Sequence, residues 1–219
     1  MRSQKWRASV LATWAIVGLL GASAAQAGSG FWQGLYTQDV QLLSIGLDLT
    51  VVDTLTVTTF SYGGRAAPGG DVAAGGFAPV LALFDGASNL LQIAAGSANA
   101  CGGADNGAMD PSSGFCWDAH FSAPGLAAGH YTVVLSQDGN TPLGPTLADG
   151  YLMAGTPDYT SIFNGVPGSR FIEVTGQART GSYALGISTL TSPVPEPGTL
   201  LMLALGLASL GLLRRRSAR

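Results

Sequence analysis

The chain has 219 residues, a length typical of one ordinary domain with additional terminal segments. Charged residues make up only 11% of it, against roughly 25% in average globular proteins. This low charge, together with 32 glycines, disfavours a helical bundle, whose exposed faces carry many charged side chains. Between residues 28 and 193 there are twelve acids and three arginines, so this part has a net charge of −9. Nucleic-acid-binding proteins need a basic face, and that class is therefore excluded.

The first 27 residues have the three parts of a secretory signal peptide. Three basic residues lie before an apolar stretch from Ala8 to Leu20, and small residues at 25–27 form an A-x-A cleavage site. The apolar stretch falls short of the roughly 20 residues that a membrane-spanning helix needs, so a permanent N-terminal anchor is the less favoured alternative. We therefore predict that signal peptidase cleaves after Ala27.

Residues 193–219 combine a proline motif, an apolar segment and a basic end. The motif is Pro195, Glu196 and Pro197, the apolar segment is 199–213, and the basic end begins with Arg214, Arg215 and Arg216. As a helix the apolar segment would be about 22 Å long, which is short for a hydrocarbon core of about 30 Å but sufficient if the bilayer thins locally. The arginines would hold this end of the helix in the cytoplasm, so we expect the preceding residues to lie outside.

This order of elements resembles the PEP-CTERM protein-sorting signal, also called the ice-binding protein C-terminal domain. The resemblance implies that a membrane-embedded exosortase recognises Pro195, Glu196 and Pro197 and processes the chain near them by a thiol-type transpeptidation. The two prolines agree with this, since they stop a helix and keep the chain extended for an enzyme. A plain single-pass anchor is the alternative. In both cases the protein is exported and at least transiently anchored in the inner membrane.

Residues 28–192 consist of short alternating apolar runs separated by Gly, Pro, Asn and Asp, a pattern typical of an all-β domain. In the run from Asp53 to Phe60, Leu55, Val57 and Thr59 alternate with threonines, which predicts one apolar and one hydroxyl-rich face. We therefore expect an antiparallel, jelly-roll-like β-sandwich. The predicted strands are Val40–Leu49, Asp53–Phe60, Pro79–Phe84, Leu90–Ala94, Phe115–Phe121, His130–Ser136, Arg170–Thr175 and Ser182–Thr189.

Four stretches of this region, DTLTVTTFSYGG, GGFAPVLALFDGASNLL, GHYTVVLSQDGN and RTGSYALGIS, resemble a family of PEP-CTERM proteins. The domain of that family is similar to the bacterial pre-peptidase C-terminal β-sandwich. The resemblance extends over roughly 36–191 and supports the fold more than any activity.

Two features of the long loops suggest sites. Cys101 and Cys116 are the only cysteines, and in an exported chain we expect them to form a disulfide. Asp105, Asp110 and Asp118 supply the hard oxygen ligands that Ca²⁺ prefers, so calcium is a candidate cofactor. The ordinary role of Asp in turns, where its carboxylate accepts backbone hydrogen bonds, stays open as the alternative.

No motif in the chain assembles a catalytic site. G-x-S-x-G, H-E-x-x-H and P-loop patterns are missing from the sequence, and the only histidines are His120 and His130. Loop aromatics such as Trp117 could stack on sugar rings, although most such residues belong to the core. We expect a non-catalytic structural or adhesive protein of the cell envelope or extracellular matrix, whose acidic surface and long loops bind polysaccharide. A secreted hydrolase or carbohydrate-binding accessory domain is the alternative.

Overall fold

The computed structural model describes residues 29–67, 70–96 and 108–190, and their regular structure is almost entirely β. The predicted signal peptide and sorting segment lie outside these residues. The described part contains no helix long and apolar enough to cross a membrane. Its strands are β1 (Gly30–Leu35), β2 (Leu43–Leu49), β3 (Asp53–Thr59), β4 (Arg65–Ala67), β5 (Gly70–Val72), β6 (Pro79–Asp85), β7 (Leu90–Ala95), β8 (His120–Leu126), β9 (Gly129–Gln137) and β10 (Ser182–Thr189).

Eight of these strands form two antiparallel four-stranded sheets. Sheet I has the order β1-β10-β3-β8, and sheet II has the order β2-β9-β6-β7. The chain changes sheets after β1, β2, β3, β7, β8 and β9, so only β6 and β7 follow each other within one of the two sheets. The remaining strands, β4 and β5, form a small hairpin. The prediction of an antiparallel β-sandwich is confirmed.

The core lies between the two sheets and is built from alternate residues of each strand. On sheet I the inward residues include Leu55 and Val57 of β3, with Leu185 and Ile187 of β10 paired beside that strand. On sheet II, β6 and β9 contribute the facing rows. Burying a side chain of this size stabilises the fold by about 1.5–3 kcal/mol. The facing rows are Leu81, Leu83, Val133 and Leu135.

Strand β6 is buried on both of its faces. Its inward residues belong to the main core, whereas Ala82 and Phe84 form a second cluster with Val134 and Tyr151 on the outer side of sheet II. Tyr151 comes from the segment after β9, so that segment covers the outer face of sheet II. A continuous apolar run such as PVLALF is typical of a strand buried on both sides.

Two predicted strands were wrong. The strand expected at 115–121 begins only at His120 and continues to Leu126. It includes Pro124, which is tolerated because β8 is an edge strand. The strand expected at 170–175 is reduced to an isolated bridge between Ile172 and Ala178, because Phe171 has a φ of 55° that interrupts an extended ladder. Strand β1 and the β4–β5 hairpin were not predicted.

Candidate functional site

The outer face of sheet I carries rows of hydroxyl groups. In β3, Thr54, Thr56 and Thr58 alternate with buried residues and are themselves half-buried. Thr56 pairs with Ser188 of β10 on one side and with Ser122 of β8 on the other, and both serines are exposed. Neighbouring strands lie about 4.8 Å apart, so this row repeats at that spacing. We call Thr54, Thr56, Thr58, Ser122 and Ser188 the hydroxyl face.

Hydrogen bonds tie the strands of the hydroxyl face together. The Thr58 hydroxyl lies 2.8 Å from Nδ1 of His120, and the hydroxyls of Thr56 and Ser122 are 3.5 Å apart. In the next row Thr58 pairs with Gly186 of β10. A Cβ at Gly186 would come within 2.9 Å of the Phe60 ring, so glycine allows this ring to pack closely against β10. The hydroxyl-bearing side chains of β3 and β8 thus form cross-strand contacts on this face, and the buried Phe60 ring packs beside them at Gly186.

One end of the sandwich holds a buried cluster of charged residues centred on Arg179. Its Nη1 donates to Asp110 Oδ2 at 2.7 Å, and its Nε lies 3.1 Å from Glu173 Oε1. The guanidinium also donates to the carbonyls of Gly76 and Tyr62 and lies 4.0 Å from the centre of the Tyr62 ring. The Tyr62 hydroxyl donates to Glu173 at 2.7 Å. The side chains of Arg179 and Asp110 are each only 2% exposed, so this cluster is part of the interior.

The charged cluster joins distant parts of the chain at this end. Asp110 lies in the loop before β8, Glu173 in the segment after β9 and Arg179 just before β10. Gly63 permits the first of these approaches, because a Cβ there would lie 1.8 Å from the carbonyl oxygen of Ala108. Glu173 and Arg179 share the connection between β9 and β10, and the carbonyls of Tyr62 and Gly76 come from the connection between β3 and β6, so the cluster joins three connections.

The surroundings of Asp110 determine its protonation. Burial alone would raise the pKa of its carboxyl, but hydrogen bonds from Arg179, Ser112 and Ser113 outweigh burial and hold the pKa well below its usual range. Asp110 is therefore ionised at neutral pH and neutralises Arg179. This role leaves it poorly suited to bind a second cation.

Asp118 has a different environment. Its carboxylate accepts hydrogen bonds from the Thr59 hydroxyl and from the backbone N–H groups of Tyr62 and Gly63. Burial raises the pKa of Asp118, and these hydrogen bonds only partly oppose the increase. The carboxylate thus secures the turn after β3, which is the structural role that Asp has in many turns.

Of the three candidate calcium ligands, the structure describes two, and each of these makes other contacts. Asp105 lies outside the described residues, Asp110 binds Arg179, and Asp118 binds the turn after β3. Within the described residues, no three His, Cys, Asp or Glu side chains are arranged to hold a metal ion. Calcium binding therefore stays a prediction that these contacts do not favour.

The predicted disulfide also stays a prediction. Cys116 is buried, but Cys101 lies outside the described residues. The sorting residues Pro195, Glu196 and Pro197 and the arginines at 214–216 lie outside them as well.

The histidines and tyrosines have mostly structural positions. Nδ1 of His130 lies 2.9 Å from Asp48 on the exposed side of sheet II, while His120 contacts the hydroxyl face. Four tyrosines at loop or strand ends are buried and belong to the core. These are Tyr36, Tyr62, Tyr151 and Tyr159. Sequence reasoning did not identify Arg179 or Glu173, because their roles depend on contacts across the fold.

Comparison with known families identifies the segment that follows the sandwich. The family model of the PEP-CTERM protein-sorting motif matches residues 193–216. No curated protein matches the chain. The match confirms the sorting signal expected from the proline motif, the apolar segment and the arginines. The chain therefore carries a PEP-CTERM protein-sorting motif, which marks it as an exported protein that an exosortase sorts to the cell envelope or surface.

Proposed function

We propose that the β-sandwich has a non-catalytic, adhesive role in the cell envelope or extracellular matrix and binds matrix polysaccharide through its hydroxyl face. The observation that carries the proposal is the solvent-accessible row formed by Ser188, Thr56 and Ser122 across three adjacent strands. The sorting motif supports the proposal, because a protein sorted to the cell envelope or surface can meet polysaccharide there.

The chemistry of the hydroxyl face suits a polysaccharide. Each hydroxyl is both a donor and an acceptor, as is each sugar hydroxyl, so the two surfaces can exchange hydrogen bonds in either direction. Each such bond contributes only about 0.5–1.5 kcal/mol. A repeating polymer compensates for weak single contacts, because several sugar residues bind the same face and many proteins bind the same chain.

The charge of the face favours the same class of ligand. Thr54, Thr56, Thr58, Ser122 and Ser188 include no carboxylate, although the region between residues 28 and 193 has a net charge of −9. A polysaccharide that bears acidic groups would be repelled by carboxylates but not by these hydroxyls. The hydroxyl face is thus the part of sheet I best suited to contact neutral or acidic polysaccharide.

Maturation completes the proposal. Signal peptidase removes residues 1–27, the segment 199–213 holds the chain transiently in the inner membrane, and exosortase processes it near Pro195, Glu196 and Pro197. Mass spectrometry of the C-terminal peptide from the mature cellular protein tests this step. Loss of Arg214–Arg219 is expected, whereas a mature protein that retains Arg219 would be a simple anchored protein.

Co-sedimentation with extracellular polysaccharide from cells that produce this chain tests the adhesive role. Thr56→Val combined with Thr58→Val keeps the shape and β-propensity of the strand but removes two hydroxyls. We expect a loss of about 1–3 kcal/mol of binding free energy, or roughly 5- to 150-fold. Thr132→Val on the outer side of sheet II is the matched control and should leave binding unchanged. Equal binding by all three proteins would refute the role of the hydroxyl face.

The same preparation tests the catalytic alternative. Incubation with polysaccharide and peptide substrates should give no turnover. Turnover that disappears when a single acid is replaced would show that the protein is a hydrolase.

A further inference from the structure

A small pocket opens beside the charged cluster at the end of the sandwich. Aromatic side chains form much of its wall, and Gln137, the last residue of β9, lies among them. The cavity has a volume of about 30 Å³. The aromatic wall consists of Phe77, Trp117, Phe163 and Phe171.

Gln137 lies in this pocket with an unsatisfied acceptor. Along β9, Val133, Leu135 and Gln137 alternate with the outward residues, so Gln137 is on the inner side of sheet II, where the first two join the core. The residue is only 4% exposed. Among the described residues, no group donates a hydrogen bond to its Oε1. A buried acceptor without a partner costs about 1–3 kcal/mol, and such groups in folded proteins call for an explanation.

The neighbouring polar groups already have partners. Thr160 donates to Asp39 and accepts from the N–H of Ile172, and Arg179 donates to Asp110, Gly76 and Tyr62. A buried water usually makes about three hydrogen bonds to polar groups. The wall of the pocket combines four aromatic side chains with polar ones, so a water bound to Gln137 Oε1 would leave the aromatic part of the wall without a contact. A ligand that supplies both a donor and carbon atoms fits this environment better.

The size of the cavity limits that ligand. One water-sized group needs about 10–15 Å³ by this measure, so 30 Å³ receives two non-hydrogen atoms. A hydroxymethyl group has one carbon and one oxygen. The rim of the pocket is apolar and accessible, since Phe163 is 39% and Val174 61% exposed. The apolar face of a pyranose ring can pack on such a rim.

We propose that this pocket binds the hydroxymethyl group of a hexopyranose residue, with the sugar O–H donating to Gln137 Oε1 and the ring packing against Phe163 and Val174. This inference rests on the proposed function, because it takes the ligand class from the matrix polysaccharide. The pocket adds a second contact, away from the hydroxyl face, and binds a single sugar residue of the polysaccharide.

Titration of the full chain with methyl glycosides tests the site. The protein is kept in a detergent without a sugar headgroup, and the fluorescence of Trp117 in the pocket wall reports binding. The probes are the methyl α-glycosides of glucose, galactose and mannose, each with its 6-deoxy analogue. We expect at least one hydroxymethyl sugar to bind with a dissociation constant of about 1–10 mM, as its size allows. Its 6-deoxy analogue should bind at least about tenfold more weakly, because Oε1 is then left without a donor.

Variants of Gln137 separate a binding role from a structural one. Gln137→Leu should abolish the fluorescence response while leaving the unfolding temperature equal or higher, since an unsatisfied polar group is removed. Gln137→Met provides a second variant with an unbranched side chain, and Gln33→Leu on exposed β1 is the control that should bind normally. Equal binding of the sugar and its 6-deoxy analogue, or an unchanged response in Gln137→Leu and Gln137→Met, would overturn the proposal.

Three further outcomes are decisive. If no glycoside binds but N-acetylserinamide does, the pocket receives a protein side chain and the sugar assignment is wrong. If the wild-type protein sediments with polysaccharide and the Gln137 variants do so equally well, the pocket proposal fails while the adhesive function stands. If the wild-type protein does not sediment with polysaccharide, the adhesive function itself fails.

Discussion

Replacement of Arg179 is the most direct perturbation of the end of the sandwich. Arg179→Met keeps an unbranched side chain of comparable length but removes the guanidinium that neutralises Asp110 and Glu173. Two buried carboxylates then have no cation, and the carbonyls of Gly76 and Tyr62 lose a donor. Loss of one partner from a buried ion pair costs about 3–5 kcal/mol. For a chain of this size that corresponds to a decrease of about 6–20 °C in the unfolding temperature.

The pH dependence of this loss distinguishes an electrostatic cause from lost packing. The folded-state pKa of Asp110 is depressed, so its contribution to stability is present above its unfolded value of about 3.9 and declines as the pH falls below it. In Arg179→Met the carboxyl of Asp110 loses the guanidinium that lowers its pKa, and burial then favours its protonated form. The difference in free energy of unfolding between wild type and variant should therefore be largest near pH 7 and shrink toward pH 3.

Urea unfolding followed by tryptophan fluorescence at pH 7 and pH 3 measures this difference. Arg170→Met is the matched control, because Arg170 makes an exposed hydrogen bond to the Thr37 carbonyl and should lose less than about 1 kcal/mol. Adding Asp110→Asn to Arg179→Met should recover part of the loss, since one unpaired charge is removed. A loss below about 1 kcal/mol that is the same at both pH values would refute the electrostatic reasoning.

Three other results are expected. Asp118→Asn should lower the free energy of unfolding by about 1–3 kcal/mol at pH 7, measured by urea unfolding. The amide N–H₂ of asparagine replaces one carboxylate oxygen, so a turn donor such as the Gly63 N–H loses its acceptor. Because the folded-state pKa of Asp118 is raised, the contribution of this residue to stability falls as the pH rises through that pKa. Asp118→Asn should remove this pH dependence of the free energy of unfolding. Reduction of the predicted Cys101–Cys116 disulfide should cost about 3 kcal/mol, and mass spectrometry without reductant checks its presence. EDTA should leave the unfolding temperature unchanged, because Asp110 already forms an ion pair; a decrease that added calcium restores would show that calcium binds.

The strands that could be predicted from the sequence are those whose pattern reports burial on one face. Ser182–Thr189 was predicted with the bounds that β10 has, and Asp53–Phe60 differs from β3 by one residue. In both, apolar residues alternate with small or hydroxyl-bearing ones, as a half-buried strand requires. The same alternation correctly indicated that one side of β3 would be rich in hydroxyls.

The strands that were missed lack this signal. In β1 two glycines within GFWQGL obscure the alternation. In β8, Pro124 and Gly125 argue against a strand, and only the position of β8 at a sheet edge makes them acceptable. Whether a strand lies at a sheet edge depends on the order of strands in the sheet, and the local sequence does not reveal that order.

The charged cluster could not be predicted because its members are far apart in the chain. Arg179 and Asp110 are separated by 69 residues, and neither belongs to a motif. The sequence offers Asp110 as a candidate calcium ligand, and the structure shows that its carboxylate accepts from Arg179. A carboxylate in a glycine-rich loop can bind a metal ion or an arginine. Which of these it binds depends on the cation that the fold brings close to it.

The distribution of acids changes how the charge of the protein should be understood. Within the described residues, several acids of the sandwich are buried and accept backbone or side-chain hydrogen bonds. Asp39, for example, accepts from the N–H groups of Thr160 and Phe171. The buried acids are Asp39, Asp53, Asp110, Asp118 and Glu173.

Because these carboxylates hold loops in place, they contribute little to the surface that a ligand meets. The surface is thus less acidic than the net charge of −9 indicates, and the expectation that an acidic surface binds the matrix loses much of its basis. Hydroxyl groups on sheet I and an unsatisfied amide oxygen in the pocket are uncharged, and their interactions are hardly screened by salt. The proposed recognition of polysaccharide therefore depends on hydrogen bonds from uncharged groups of the sandwich, and the buried acids hold the loops of that sandwich in place.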